Sequence, residues 1–200
     1  MTTRFRLRPL TAALLAAALA LPATASAQNW LVRARAIDVA PNVSSSVGGL
    51  DVDDAWTGEL DFSYFFTKNV AVELILATAK HEATLNGQSL GKVGVLPPTI
   101  TLQYHFTDLG AFKPYVGGGL NITYFYDNGL RLGNTPLQIN STSTNGALQA
   151  GFDYEFKKNW YFNFDYKYIW LSTPVSANGV KITDLKIDPS VWGIGLGYRF

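Results

Sequence analysis

ALQAGFDYEFKKNWYFNFDYKYIW, residues 147–170, is the stretch that decides the fold. On either side of Lys157-Lys158-Asn159, every second residue is apolar or aromatic and most of the residues between are polar. Successive side chains of a β-strand point to opposite faces, so this alternation predicts two strands joined by a tight turn. Their length matches the roughly 9–11 residues that a tilted strand needs to cross a bilayer, whereas soluble strands average about 5–6.

The same alternation recurs along the chain and predicts eight strands. They lie at 30–36, 56–66, 70–76, 99–106, 116–126, 148–156, 161–170 and 192–200. The links between them alternate strictly between short (67–69, 107–112, 157–159) and long (41–55, 81–97, 127–145, 171–186). An outer-membrane barrel with an even strand number has short periplasmic turns and long extracellular loops. The sequence therefore predicts an all-β fold, an eight-stranded antiparallel up-and-down transmembrane β-barrel, with exposed, mobile loops rich in Gly, Ser, Thr, Asn and Pro.

Charge placement indicates which face of these strands meets lipid. All the charged residues in the middle of the strands share one face, and a Lys or Arg facing lipid at mid-depth costs about 2–4 kcal/mol. We therefore expect the charged face to line the lumen, where it either plugs an interior that eight strands leave narrow or lines a narrow solute path. The predicted lumen residues are Arg33, Arg35, Glu59, Asp61, Glu73, Gln103, His105, Asp153, Glu155, Asp165, Lys167 and Arg199. A soluble barrel with its apolar face inside is the alternative.

Large aromatic residues lie towards the strand ends on the uncharged face. We predict that Trp30, Trp56, Trp170 and Trp192 belong to the interfacial aromatic girdles of a membrane barrel.

The N-terminus has the features of a cleaved signal peptide, residues 1–27, which leaves 28–200 as the barrel. Arg4, Arg6 and Arg8 precede a short apolar run, and Ala25-Ser26-Ala27 fits a signal-peptidase site. Without this segment the 16 Lys and Arg fall to 13 against 15 Asp and Glu. The small net charge predicts no nucleic-acid binding. The absence of cysteine excludes disulfides and thiolate metal sites, and we expect neither a metal nor a cofactor.

Three segments resemble the OmpW family of outer-membrane proteins. They are residues 96–106 (LPPTITLQYHF), residues 112–121 (FKPYVGGGLN) and the C-terminal segment, 184–189 with 192–200. The resemblance implies a narrow, largely hydrophobic lumen for passive entry of small apolar molecules and their transfer sideways into the membrane; one relative serves alkane uptake. The ending Tyr198-Arg199-Phe200 also resembles the signal that the outer-membrane assembly machinery reads.

Three functions follow for such a barrel in the bacterial outer membrane, in contact with membrane lipid and lipopolysaccharide. The first is a channel for small hydrophobic solutes, with the charges as a plug near the periplasmic end. The second is a structural, adhesive or stress-protective barrel that acts through its loops. The third, a lipid-modifying enzyme, is disfavoured because His81, beside Glu82, has no evident nucleophile except a loop residue such as Ser89.

Overall fold

The computed structural model describes residues 29–200, so the predicted signal peptide lies outside the described residues. Fifteen β-strands make up this part of the chain, and it contains no helix that could cross a membrane. The strands are β1 (Trp30–Ala40), β2 (Leu50–Val52), β3 (Ala55–Phe65), β4 (Val70–Ala77), β5 (Ala79–Leu85), β6 (Gln88–Leu96), β7 (Thr99–His105), β8 (Phe112–Tyr126), β9 (Arg131–Leu132), β10 (Thr135–Ile139), β11 (Thr142–Lys157), β12 (Trp160–Ile169), β13 (Ser172–Ala177), β14 (Val180–Lys186) and β15 (Ser190–Arg199).

Eight of these strands close into a barrel, as the alternation predicts. The ring runs β1–β3–β4–β7–β8–β11–β12–β15 and returns to β1, and every pairing in it is antiparallel. The two chain ends meet in the last pairing, where Trp30 and Phe200 exchange backbone hydrogen bonds of 3.1 and 2.9 Å. The short links and both of these residues therefore lie at one end of the barrel, named here the turn end, and the long links lie at the other, the loop end.

The long links contain more regular structure than predicted. Strands β5 and β6 continue β4 and β7 upwards in the same register, β2 pairs with β5, and β9, β10, β13 and β14 form a four-stranded sheet. This loop-end extension has its own hydrophobic cluster. The buried members of the cluster are Ala83, Leu90, Leu130, Leu137, Val175 and Leu185. The extension thus forms a folded cap above the barrel.

The two faces of the barrel wall differ as expected for a membrane protein. Large apolar side chains cover the outside, and Leu102 and Leu120 there leave 60% and 64% of their surface exposed. Trp30, Trp56 and Trp192 also lie exposed on this face, as does Trp170 just beyond the end of β12. A continuous apolar surface of this extent is suited to acyl chains rather than water.

Candidate functional site

The half of the lumen nearest the turn end is filled by buried charged and polar side chains, which we call the lower network. Arg33 on β1 is at its centre and is completely buried. Its guanidinium binds Asp153 through two hydrogen bonds of 3.0 and 2.7 Å, and also donates to Asp61 (2.9 Å) and Glu73 (3.1 Å). One cation therefore joins three carboxylates that come from three different strands.

Arg35, two residues further along β1, extends the lower network towards the loop end. It donates to Asn163 (2.7 Å), Glu59 (2.7 Å) and Glu73 (3.2 Å). Lys167 joins the same group from β12, with its ammonium 2.8 Å from Glu59 and 2.5 Å from Asp165. Charges buried in this way are tolerable only when they are paired and hydrogen-bonded, and these are.

Neutral side chains complete the lower network. The Tyr115 hydroxyl donates to Asp165 (2.7 Å), and Gln149 donates to the same carboxylate (2.8 Å). Gln103 donates to Glu73 (2.7 Å), and His105 bonds to Gln103. The sequence prediction included Gln103 and His105 but missed Tyr115, Gln149 and Asn163, although their positions in the alternation would have placed them on the same face.

Ten of the twelve predicted lumen residues come together in this network, and two do not. Glu155 is half-exposed and pairs with Lys113 at 3.1 Å. The Arg199 guanidinium lies 3.9 Å from the centre of the Phe65 ring. Both positions are closer to the turn end, where the strands reach the edge of the barrel.

Glycines on β15 make room for the two arginines. A Cβ atom at Gly193 would lie 3.3 Å from Cδ of Arg35, and one at Gly197 would lie 3.1 Å from Cγ of Arg33. Gly193 and Gly197 therefore leave the space that the two arginine side chains occupy.

Above the lower network the lumen changes character and becomes an apolar cavity, named here the upper cavity. It has about 1000 Å³ of space between its atoms, counting the part that is open to solvent. Twenty of its 27 lining residues are aliphatic, aromatic or proline, and Glu59 and Lys167 form its floor. Its walls rise from Ile37 and Ile75 in the barrel to Leu130 in the extension. The upper cavity thus spans the upper barrel and the folded cap.

One part of the wall around the upper cavity lacks a complete backbone ladder. Pairing between neighbouring strands stops after Ile75–Thr99 and resumes in the same register at Ala79–Val95. In this gap Ala77 faces Pro97, and both side chains line the upper cavity. Proline has no N–H to donate, so Pro97 and Pro98 weaken the contact between strands where they stand.

The residues considered for catalysis do not form one site, because His81 faces away from Glu82 and Ser89. His81 lines the upper cavity, whereas Glu82, the next residue on β5, lies on the opposite face of the strand and pairs with Lys92. Glu82 also forms a hydrogen bond with Ser89. Across residues 29–200, no three His, Asp or Glu side chains cluster in a way that could hold a metal ion.

Comparison with known proteins agrees with this architecture. The sequence pattern of the OmpW family matches residues 26–200. The uncharacterized outer-membrane protein y4mB of Sinorhizobium fredii is 43% identical over 183 residues, which cover 86% of this chain and 80% of that protein. The dibenzothiophene metabolism operon protein PahQ of Pseudomonas aeruginosa is 27% identical over 199 residues, 91% of this chain and 93% of PahQ.

A solved structure supports the same assignment. The crystal structure of the outer membrane protein OprG from Pseudomonas aeruginosa superimposes with a TM-score of 0.78 at 31% identity and covers 86% of this chain and 95% of OprG. The chain therefore belongs to the OmpW family and is a β-barrel protein of the bacterial outer membrane.

Proposed function

We propose that the barrel provides a path for passive uptake of small hydrophobic molecules across the outer membrane. The observation that carries this proposal is the upper cavity, an apolar chamber beneath the extracellular cap. Apolar lining favours a hydrophobic solute because its entry removes apolar surface from water at about 25 cal/mol per Å².

The lower network makes a straight path through the barrel unfavourable. Arg33, Asp61 and Glu73 are completely buried and bonded to one another, so a solute moving towards the periplasm would have to break their ion pairs. Separating buried pairs of this kind costs several kcal/mol. We infer that the lower network closes the lumen below the upper cavity.

The gap in the wall provides an alternative exit. A solute in the upper cavity meets Ala77 and Pro97 where the backbone ladder between β4–β5 and β6–β7 is interrupted between two paired stretches. Because Pro97 and Pro98 have no N–H to donate, fewer backbone hydrogen bonds hold the strands together there than along a fully paired ladder. The solute would then enter the apolar layer of the membrane directly. The name of PahQ, which refers to the metabolism of an apolar aromatic compound, is consistent with such a solute.

A disulfide across the gap tests this path. The chain contains no cysteine, so Ala77→Cys/Pro97→Cys introduces the only two thiols. On both sides of the gap the paired residues lie about 4.5–5.5 Å apart at Cα, as opposite residues of antiparallel strands do, and the register puts Ala77 opposite Pro97 between them. A disulfide can therefore close the gap at this position. We expect the oxidised variant to take up naphthalene into proteoliposomes no faster than protein-free liposomes do. Reduction should restore uptake, because Pro98 still interrupts the ladder in both forms.

A matched pair in an intact part of the wall provides the control. Ile37 and Thr57 also line the upper cavity and face each other in an unbroken ladder. Oxidation of Ile37→Cys/Thr57→Cys should leave uptake unchanged, because no exit is expected there. The uptake function is disproved if the wild-type barrel itself does not exceed protein-free liposomes. The lateral exit alone is disproved if both disulfides leave uptake intact.

A further inference from the structure

The polar groups that line the upper cavity are almost all satisfied by the protein itself. The hydroxyl groups of Thr57, Thr99 and Thr123 donate to Thr78 O (2.7 Å), Pro97 O (3.0 Å) and Asn121 Oδ1 (2.7 Å). Glu59 and Lys167 pair with each other at the floor. These groups have no need of a ligand.

Thr173 on β13 is an exception. It lines the upper cavity and is 98% buried, yet its Oγ1 has no hydrogen-bond partner among residues 29–200. A buried hydroxyl that is left unpaired destabilises a protein by about 1–3 kcal/mol, which is why such groups are rare in native structures and call for an explanation.

His81 on β5 is a second, independent exception. Its Nδ1 lies 2.8 Å from the backbone carbonyl of Asp53, which can only accept, so Nδ1 carries the hydrogen of this bond. In a neutral imidazole the other nitrogen, Nε2, is then an acceptor, and the described residues supply it with no donor. His81 is 94% buried and lines the same cavity.

We propose that Thr173 and His81 are the polar contacts of a solute-binding site in the upper cavity, which favours apolar molecules carrying one hydroxyl group over hydrocarbons of the same size. This inference rests on the proposed function and specifies its substrate class. A solute hydroxyl can donate to His81 Nε2, or it can donate to or accept from Thr173 Oγ1, while the rest of the solute contacts the apolar lining. A pure hydrocarbon would leave both protein groups unpaired.

Binding of naphthalene and 2-naphthol, which differ by a single hydroxyl, tests the proposal. The dissociation constants are measured by chemical-shift titration of the labelled chain in lipid nanodiscs, for the wild type, Thr173→Val and His81→Phe. Both substitutions keep the approximate size of the side chain and remove its hydrogen-bonding atom. Because one hydrogen bond is worth about fivefold in affinity, we expect the preference for 2-naphthol over naphthalene to fall by about fivefold in one or both variants.

Thr183→Val is the matched control, because Thr183 is a buried threonine of the neighbouring strand that bonds to Ser46 and does not line the upper cavity. It should leave the preference unchanged. The two probes partition into lipid to different extents, but this difference is the same for every variant and therefore cancels when the preferences of the variants are compared. A preference that is the same in all variants overturns the hydroxyl selectivity while the uptake function stands, whereas wild-type protein that binds neither probe overturns both.

Discussion

The upper cavity lies directly above the lower network in the same barrel, but the two regions differ in the polarity of their side chains and in how completely those side chains are hydrogen-bonded. The lower network contains the charges of Arg33, Arg35 and Lys167 among five buried carboxylates, and nearly every polar atom is bonded. The upper cavity has mostly apolar walls, and two polar groups in it, Thr173 Oγ1 and His81 Nε2, have no partner among residues 29–200. Along β1 the side chains that face the lumen change from charged to apolar within two residues, from Arg35 to Ile37.

This difference indicates that polar groups inside the barrel act as a plug when they satisfy one another, and that groups left unsatisfied in an apolar wall are the ones open to a ligand. Eight strands leave an interior that side chains can fill, and the lower network fills it with groups that satisfy one another. Where partners are missing, as at Thr173 and His81, a ligand can supply them. The following variants test whether this distinction has energetic consequences.

Arg33→Met should have the largest effect. The substitution removes the cation that binds Asp61, Glu73 and Asp153. Asp61 and Glu73 keep Arg35 as a partner, whereas Asp153 loses the guanidinium that binds it through two hydrogen bonds. Breaking a buried ion pair from one side costs about 3–5 kcal/mol. We expect the free energy of unfolding, measured by urea titration of the barrel in lipid vesicles, to fall by about that amount.

An exposed pair at the turn end is the control for Arg33. Lys68 lies 3.0 Å from Asp108, and both side chains are largely solvent-accessible. Lys68→Met should change the free energy of unfolding by less than about 1 kcal/mol, as exposed ion pairs usually do. Equal losses in the two variants would show that the lower network does not hold the barrel together.

Lys167→Met should have a smaller effect, because Lys167 lies at the boundary between the two regions. Without it, Glu59 keeps Arg35 as a partner, and Asp165 keeps the hydrogen bonds from Tyr115 and Gln149. We expect a loss of about 1–3 kcal/mol in the same urea titration, since charged hydrogen bonds are removed but neither carboxylate is left alone. A loss as large as that of Arg33→Met would mean that the remaining partners do not compensate.

The residues of the lower network can be predicted from the sequence more completely than those of the upper cavity, and the reason is physical. Period-2 alternation is strict in a barrel strand, so charged residues such as Arg33, Asp61 and Asp165 are assigned to the lumen from the sequence alone. Which of them touch depends on strand register and on depth along the barrel. Glu155 and Arg199 share the face of the network but lie outside it because they are closer to the turn end.

The upper cavity is much harder to predict. Its polar contacts, His81 and Thr173, come from two long links, and they face the same space only because those links fold into the loop-end extension. The alternating runs there are short and are interrupted by turns such as Asn86-Gly87 and Asn178-Gly179, where positive φ angles end each strand. Such runs are read more easily as loops than as strands.

Glu82→Gln should have the smallest effect on stability. This variant tests whether an ion pair contributes to stability when it is not buried. Hydrogen bonds with Ser89 and Lys92 hold the pKa of Glu82 below its ordinary value, but the carboxyl group is exposed in the loop-end extension. A lowered pKa in the folded state stabilises the protein above the pKa of the unfolded chain, and this contribution disappears as the pH falls through the folded-state pKa. Solvent screens an exposed group, so we expect the urea midpoints of Glu82→Gln and wild type to agree at pH 7 and at pH 3. A midpoint at pH 7 that falls as far as that of Lys167→Met would contradict this, because pairing alone, without burial, would then account for the stability that we assign to the lower network.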